Sequence, residues 1–152
     1  MDAVDHGQFT VGVFQDVDWA RRGVEALTQA GFVAEALSVI AKDSAAMSSL
    51  TTEIFGDAGE TVDVRGLGSV RLRGPIVRAL QGVERMLSAK GLASSMGRIG
   101  FQQHDGFIYQ SLTERGGVLI AVRSEPRAAD ALALLMSYGG GNAAIGAWRG
   151  RL

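Results

Sequence analysis

The sequence predicts an α+β fold, and two observations support that prediction. Each end of the chain carries a strand–helix–strand pattern, over residues 9–43 and 116–150. The stretch between them, residues 44–115, has the pattern of an inserted hairpin followed by helices. A chain of 152 residues with 47% hydrophobic residues is long and apolar enough to form one domain, residues 1–152, around a hydrophobic core.

The first unit begins with an apolar run, FTVGVFQD (9–16), which predicts a buried strand. Asp16 or Asp18 is expected to cap the amphipathic helix that follows, and Gly31 is expected to end it. EALSVIAKD (35–43) returns as the second strand.

The second unit repeats this order near the C-terminus. GGVLIAVRSE (116–125) predicts a strand, Pro126 opens a helix, residues 139–141 form a glycine turn, and residues 142–150 form a final strand. Two such units predict a ferredoxin-like βαβ-βαβ sandwich with an antiparallel sheet. In that arrangement the first and third strands pair at the centre. Two helices cover one face, and the other face stays open unless something packs on it.

The inserted stretch begins with residues 44–60, which predict either a short helix or a mobile loop. Apolar and polar residues then alternate on both sides of GLGS (66–69), which is typical of a hairpin. Pro75 opens a helix predicted over 75–91, and a further helix is expected over 104–116 with Asp105 as its cap.

Charge and composition narrow the classes of partner. The net charge is −1, which argues against a non-specific polyanion binder, so neither nucleic acid nor a membrane is expected as a partner. The glycines at 139–141 interrupt the longest uncharged run, 131–148, which therefore predicts a turn and not a spanning helix. The polar residues 1–8 are expected to be flexible and lack the pattern of a signal peptide, which indicates a cytoplasmic protein.

Metal and thiol chemistry find little support in the sequence. The chain has no cysteine and only two histidines, His6 and His104, far apart in sequence. Three carboxylates at the ends of the first two strands (Asp16, Asp18 and Asp43) were weighed as a divalent-ion site, but their spacing matches no ligand pattern. No metal and no cofactor is therefore expected.

Three blocks of the chain together resemble the general-stress-protein (heat-induced stress protein) domain family of bacteria. They are VGVFQDVDWARRGVEALTQAGF, GLGSVRLRGPIVRAL, and the run from IGFQQHDGF to ALALLMSYGG. The resemblance covers most of the chain in the right order, and it implies a role in bacterial stress responses without a defined activity. Many members carry a long Gly/Ala-rich segment before the last block, where this chain has charged residues instead.

The stretch RGLGSVRLRGP (65–75) is the first candidate site. As an anion site it would use the backbone N–H groups near Gly66 and Gly68, with the guanidinium groups of Arg65, Arg71 and Arg73. As a hairpin its glycines permit positive φ, its Val and Leu residues face the core, and its arginines face solvent. The hairpin explains every residue without a ligand, so the anion site is the second alternative.

A second candidate is a polar cluster on the predicted helix 104–116, formed by His104, Asp105 and Tyr109 with Glu114 nearby. An ordinary capped helix with the tyrosine packed on the sheet explains the same residues, and no catalytic residue is assigned.

Two functions remain open at this stage. The first is a stress-associated, non-enzymatic interaction module that forms homo-oligomers or binds a protein partner, with Trp148 in an edge strand as one contact between subunits. The alternative is a sensor of an anionic small molecule, or an enzyme, with its site near the hairpin at 65–75.

Overall fold

An antiparallel sheet of five strands, extended at one edge by a short sixth strand, forms the centre of the fold. The computed structural model describes residues 9–123 and 127–138, together with the backbone of residues 147–149. The strands are Phe9–Phe14 (β1), Leu37–Lys42 (β2), Glu60–Val64 (β3), Gly68–Arg73 (β4), Val118–Arg123 (β5) and Ala147–Arg149 (β6). The helices are Val17–Gln29 (α1), Ala45–Phe55 (α2), Pro75–Gln81 (α3), Met86–Lys90 (α4), Leu92–Arg98 (α5), Gln103–Glu114 (α6) and Ala128–Ser137 (α7).

The strands follow the order β3-β4-β2-β5-β1-β6, and every neighbouring pair is antiparallel. β1 pairs with β5 near the middle of the sheet, where Phe14 lies opposite Val118. The predicted α+β class and the antiparallel sheet are confirmed. Among the described residues, no helix is long and apolar enough to cross a membrane.

Helices cover both faces of this sheet. Val11 and Val13 of β1 belong to the core that packs against α3–α6, whereas Phe14 belongs to the core under α1, α2 and α7. This division follows from the alternation of side chains along a strand. The expectation of an open second face was wrong, because the apolar sides of the inserted helices bury that face.

Helix α1 begins and ends where the sequence predicts. The Asp16 carboxylate accepts a hydrogen bond from the Trp19 N–H at 2.9 Å, which caps the first turn. Gly31 has a φ of +100°, and the Phe32 N–H returns to the Leu27 carbonyl at 3.0 Å. The chain therefore turns sharply and enters β2.

The predicted hairpin is confirmed as β3 and β4. Gly66 and Gly68 have positive φ values of +86° and +81° at the turn. Val70 and Leu72 of β4 are fully buried in the core under α3–α6.

The single helix predicted over 75–91 was wrong, because the segment forms α3, a 3-10 turn and α4. Gly82 has φ +59° and ψ −156°, which is not helical, and Arg85 takes the left-handed conformation at φ +55°. The Arg98 guanidinium donates to the Ala79 carbonyl at 2.8 Å, so a distant side chain satisfies the end of α3.

The other inserted helices show two further differences from the prediction. Residues 44–60 contain α2, the short helix that was one of the two alternatives predicted for this stretch, whereas α5 was not predicted at all. Helix α6 forms as expected, but its N-cap is Gln102 and Asp105 lies buried in the first turn. Predictions for Pro126 and for the turn at 139–141 lie outside the described residues.

Candidate functional site

Two of the predicted anion-binding arginines already hold carboxylates. Arg71 and Arg73 lie on the side of β4 opposite to Val70 and Leu72, which is the side of the sheet that α2 covers. Arg71 Nε donates to Asp43 Oδ1 at 2.8 Å. Its Nη1 donates to the carbonyl oxygen of Ala58, in the loop before β3, at 2.7 Å.

That loop, residues 56–59, is also tied down by Arg73. Arg73 Nε and Nη2 donate to the two carboxylate oxygens of Asp57 at 3.1 and 3.2 Å, and the guanidinium stacks on the Phe55 ring at 4.8 Å. The hydrogen bond to Arg73 lowers the pKa of Asp57, and the same bond raises the pKa of Arg73. These arginines anchor the loop between α2 and β3, and the carboxylates of Asp43 and Asp57 neutralise their charges.

Arg65 lies apart from them, at the tip of the hairpin. Its backbone N–H donates to the Ser88 carbonyl at 3.1 Å, which docks the tip against α4. A methyl group on Gly66 would lie 3.0 Å from Nε2 of Gln110, so the tip also reaches α6. The five residues predicted as one anion site are thus divided between the hairpin tip and the α2 side of the sheet.

The predicted polar cluster on α6 is divided as well. His104 is exposed, whereas Asp105 is buried and Tyr109 is completely buried. Burial raises the pKa of Tyr109, and the nearby Asp105 carboxylate raises it further. The Tyr109 phenol therefore stays protonated at physiological pH, and it packs edge-on against Phe101 with ring centroids 5.8 Å apart.

The three carboxylates weighed as a metal site have separate structural roles. Asp16 caps α1, Asp18 accepts a bond from Arg21 at 3.1 Å, and Asp43 holds Arg71. No group of three or more metal-ligating side chains occurs in the described part of the chain. Ser44 caps α2 by accepting from the Met47 N–H at 3.1 Å, so it too is structural.

Sequence reasoning missed a cleft of about 700 Å³ between α1 and α2. Its walls are mainly apolar and include Val24, Phe32, Leu50 and Ile54, while Val33 lies at the rim with 59% exposure. A volume in this range suits a small ligand or the apolar side chains of a partner.

An ion pair between Arg21 and Glu53 spans the cleft. Arg21 Nε and Nη2 donate to the two carboxylate oxygens of Glu53 at 2.8 and 3.2 Å, which joins α1 to α2. The hydrogen bond from Arg21 lowers the pKa of Glu53 and raises the pKa of Arg21. Glu25 is exposed in the same cleft and forms no ion pair with any described residue.

Arg127, the residue directly before α7, fixes the wall of the cleft that contains Phe32. Arg127 Nη1 donates to the Ala30 carbonyl at 2.7 Å, and its guanidinium stacks on the Phe32 ring at 4.5 Å. In the sequence, this cleft is indicated only by the run Gly31–Ala34, where the apolar residues Phe32 and Val33 directly follow the end of a helix.

Comparison of the chain with protein-family models, curated proteins and solved structures gave no match. The function is therefore argued from the chain's own residues.

Proposed function

We propose that this chain is a non-enzymatic binding module that associates with further copies of itself and serves in a bacterial stress response. The stress role is supported by the resemblance of its three sequence blocks to the general-stress-protein domain family. The self-association is supported by one structural observation, a protrusion that carries the fully exposed Val83 on one side of the sheet and a mainly apolar cleft on the other.

The proposed core is ferredoxin-like with a large insertion. The strands β6-β1-β5-β2 follow the order expected of two interlocked βαβ units, and α1 and α7 pack on the same face. The insertion adds β3 and β4 beside β2 and lays α3–α6 over the other face.

The protrusion is the turn between α3 and α4. Its residue Val83 is 100% exposed, and the left-handed backbone at Arg85 shapes the turn. When a partner covers a fully exposed valine, the removal of its apolar surface from water lowers the free energy of the complex.

The cleft cannot receive the protrusion of its own chain, because the sheet separates α3–α6 from α1 and α2. A second copy has to supply it, and the contact is then head to tail, since the two surfaces differ. The charges beside Val83 are mixed, since Glu84 and Arg85 are both exposed, and the contact pairs Arg85 with exposed Glu25 in the cleft of the second copy.

The absence of catalysis is part of this proposal. The guanidinium groups of Arg71 and Arg73 are neutralised, and the Tyr109 phenol stays protonated. His104 is exposed while Asp105 is buried, so the two do not form an obvious acid–base pair.

Light scattering coupled to size exclusion tests the association. We expect a particle heavier than the 16.0 kDa monomer, and we expect Val83→Ser to raise the dissociation constant about tenfold or more. Met136→Ser is the matched control, because Met136 is also exposed but lies on α7. A monomer at all concentrations, or equal effects of the two substitutions, would refute the proposal.

A charge exchange tests the orientation of the contact. Arg85→Glu and Glu25→Arg should each weaken the association, and the chain carrying both should recover it, because the two charges meet between copies. Additive weakening in the double variant would show that these residues do not meet.

A further inference from the structure

The charge of this chain is unevenly distributed, which its net value of −1 conceals. Residues 64–104 carry seven basic side chains and one acidic side chain, a net charge of +6, so the remainder carries −7. The basic residues are Arg65, Arg71, Arg73, Arg78, Arg85, Lys90 and Arg98. Excess positive charge in one segment forms a surface for an anionic partner where carboxylates from the rest of the chain do not neutralise it.

Part of this positive charge is available for binding. Arg71 and Arg73 hold carboxylates on the α2 side of the sheet. By contrast, Arg65, Arg78, Arg85 and Lys90 are exposed and form no ion pair within the described residues. They lie on the layer formed by α3, α4 and the hairpin tip.

A groove of about 320 Å³ between α5 and α6 adjoins this basic surface. Phe107 lines it with 58% exposure, and Lys90 lies in the same lining. Ser94 and Gln103 add polar groups. An exposed aromatic ring beside a lysine offers a stacking surface next to a positive charge, and covering the ring would be favourable.

The groove is rigidly built at its inner end. Gln110 Oε1 accepts the Ala93 N–H at 2.9 Å, which fixes the side-chain amide against the start of α5. The hairpin tip packs against Nε2 of the same amide through Gly66, and the Arg65 N–H docks on Ser88 of α4. The tip thus brings Arg65 close to the segment that carries Lys90.

We infer that this groove and the basic surface beside it bind single-stranded nucleic acid. One base stacks on Phe107, and the polar groups of Gln103 and Ser94 face the base edge. The phosphates lie along Lys90 and Arg65. Stacking on aromatic rings within a basic channel is how proteins hold single strands without sequence preference. The cations at Arg78 and Arg85 continue the surface beyond the groove, which favours a polymer over a mononucleotide.

This inference goes beyond the proposed function and uses a different concavity, and only Arg85 belongs to both surfaces. The expectation that nucleic acid is no partner rested on the net charge, which averages over the acidic and basic regions. A duplex is disfavoured as the ligand, because its bases are stacked on one another and cannot cover Phe107.

Fluorescence anisotropy of a labelled oligothymidylate of about twelve nucleotides tests the inference on the full chain. We expect saturable binding at about 50 mM salt that weakens steeply as salt rises. Phe107→Ala should weaken binding about tenfold, because it removes the stacking surface. Lys90→Glu should also weaken it about tenfold and flatten the salt dependence.

Arg22→Glu is the matched control for charge, because Arg22 is an exposed arginine on α1, on the opposite side of the sheet. It should leave the affinity within about twofold, provided that circular dichroism shows all variants folded. No binding at low salt would overturn the inference, as would equal losses for Arg22→Glu and Lys90→Glu. Retained affinity in Phe107→Ala, or tighter binding of a duplex, would overturn the base-stacking site.

Discussion

At the scale of single residues, Glu53 shows how a surface carboxylate can depend on its partner. Its two oxygens accept from Arg21, and that hydrogen bond lowers the pKa of Glu53 in the folded chain. A lowered folded pKa means that the pair stabilises the fold at pH values above the unfolded pKa of about 4.3. That stability is lost as the pH falls through the folded pKa.

We therefore predict a pH-dependent effect of Glu53→Gln. At about pH 7 the variant should unfold with a free energy lower by up to about 1 kcal/mol, since the pair is half-exposed and screened. The difference should shrink as the pH falls through the lowered pKa of Glu53, because the native carboxylate then becomes protonated. Urea unfolding over this pH range measures it, with Glu114→Gln as an exposed control. A difference that stays constant with pH would contradict the assignment.

At the scale of elements, α3 depends on a residue far away in sequence. Its own N-cap, Gly74, offers no side chain, and the Ile76 N–H instead donates to Ser38 Oγ of β2 at 3.0 Å. Ser38 is completely buried. The helix start and the strand are therefore joined by one hydroxyl.

Ser38→Ala should leave the Ile76 N–H buried without an acceptor and lower the free energy of unfolding by about 1–3 kcal/mol. Ser44→Ala is the comparison, since Ser44 caps α2 locally at a less buried site and its loss should cost about 1 kcal/mol. Chemical denaturation of both variants makes the measurement. Equal or smaller loss at Ser38 would show that water replaces the hydroxyl.

Local sequence signals predict the elements that are determined by residues close together in the sequence. The alternation around GLGS predicts the hairpin, and Asp16 with Gly31 marks both ends of α1, because caps and turns depend on nearby residues. The break at Gly82 was not predictable, because Arg98 of α5 satisfies the carbonyls that α3 leaves open. Helix α5 is only seven residues long, which gives a weak signal, although Leu92 and Met96 have helical spacing and are buried against the neighbouring helices.

The candidate sites were less predictable than the elements, because they depend on contacts between residues that lie far apart in sequence. Arg71 and Arg73 look free in sequence, and only the fold places Asp43 and Asp57 beside them. The α1–α2 cleft arises from two helices that lie apart in sequence. The basic segment 64–104, in contrast, could have been found by counting charges in windows.

At the scale of the whole molecule, the separation of charge predicts how salt affects self-association. A chain with +6 in one segment and −7 in the rest attracts a second copy when acidic and basic surfaces face one another. Raising the salt from about 50 to 500 mM shortens the range of this attraction and should lower the average mass in light scattering. A rise in mass would instead indicate a contact governed by apolar burial alone.

The central pairing of β1 with β5 also constrains when this protein can fold. Phe14 meets Val118, roughly 100 positions later in the chain, so the middle of the sheet closes only after most residues have left the ribosome. Until then the apolar strand β1 is unpaired, and its free backbone N–H and C=O groups can pair with other chains and cause aggregation. The hairpin and the inserted helices have mostly local contacts and can form during that delay. The time taken to translate residues 44–115 therefore sets how long a newly made β1 remains without the strand that pairs with it.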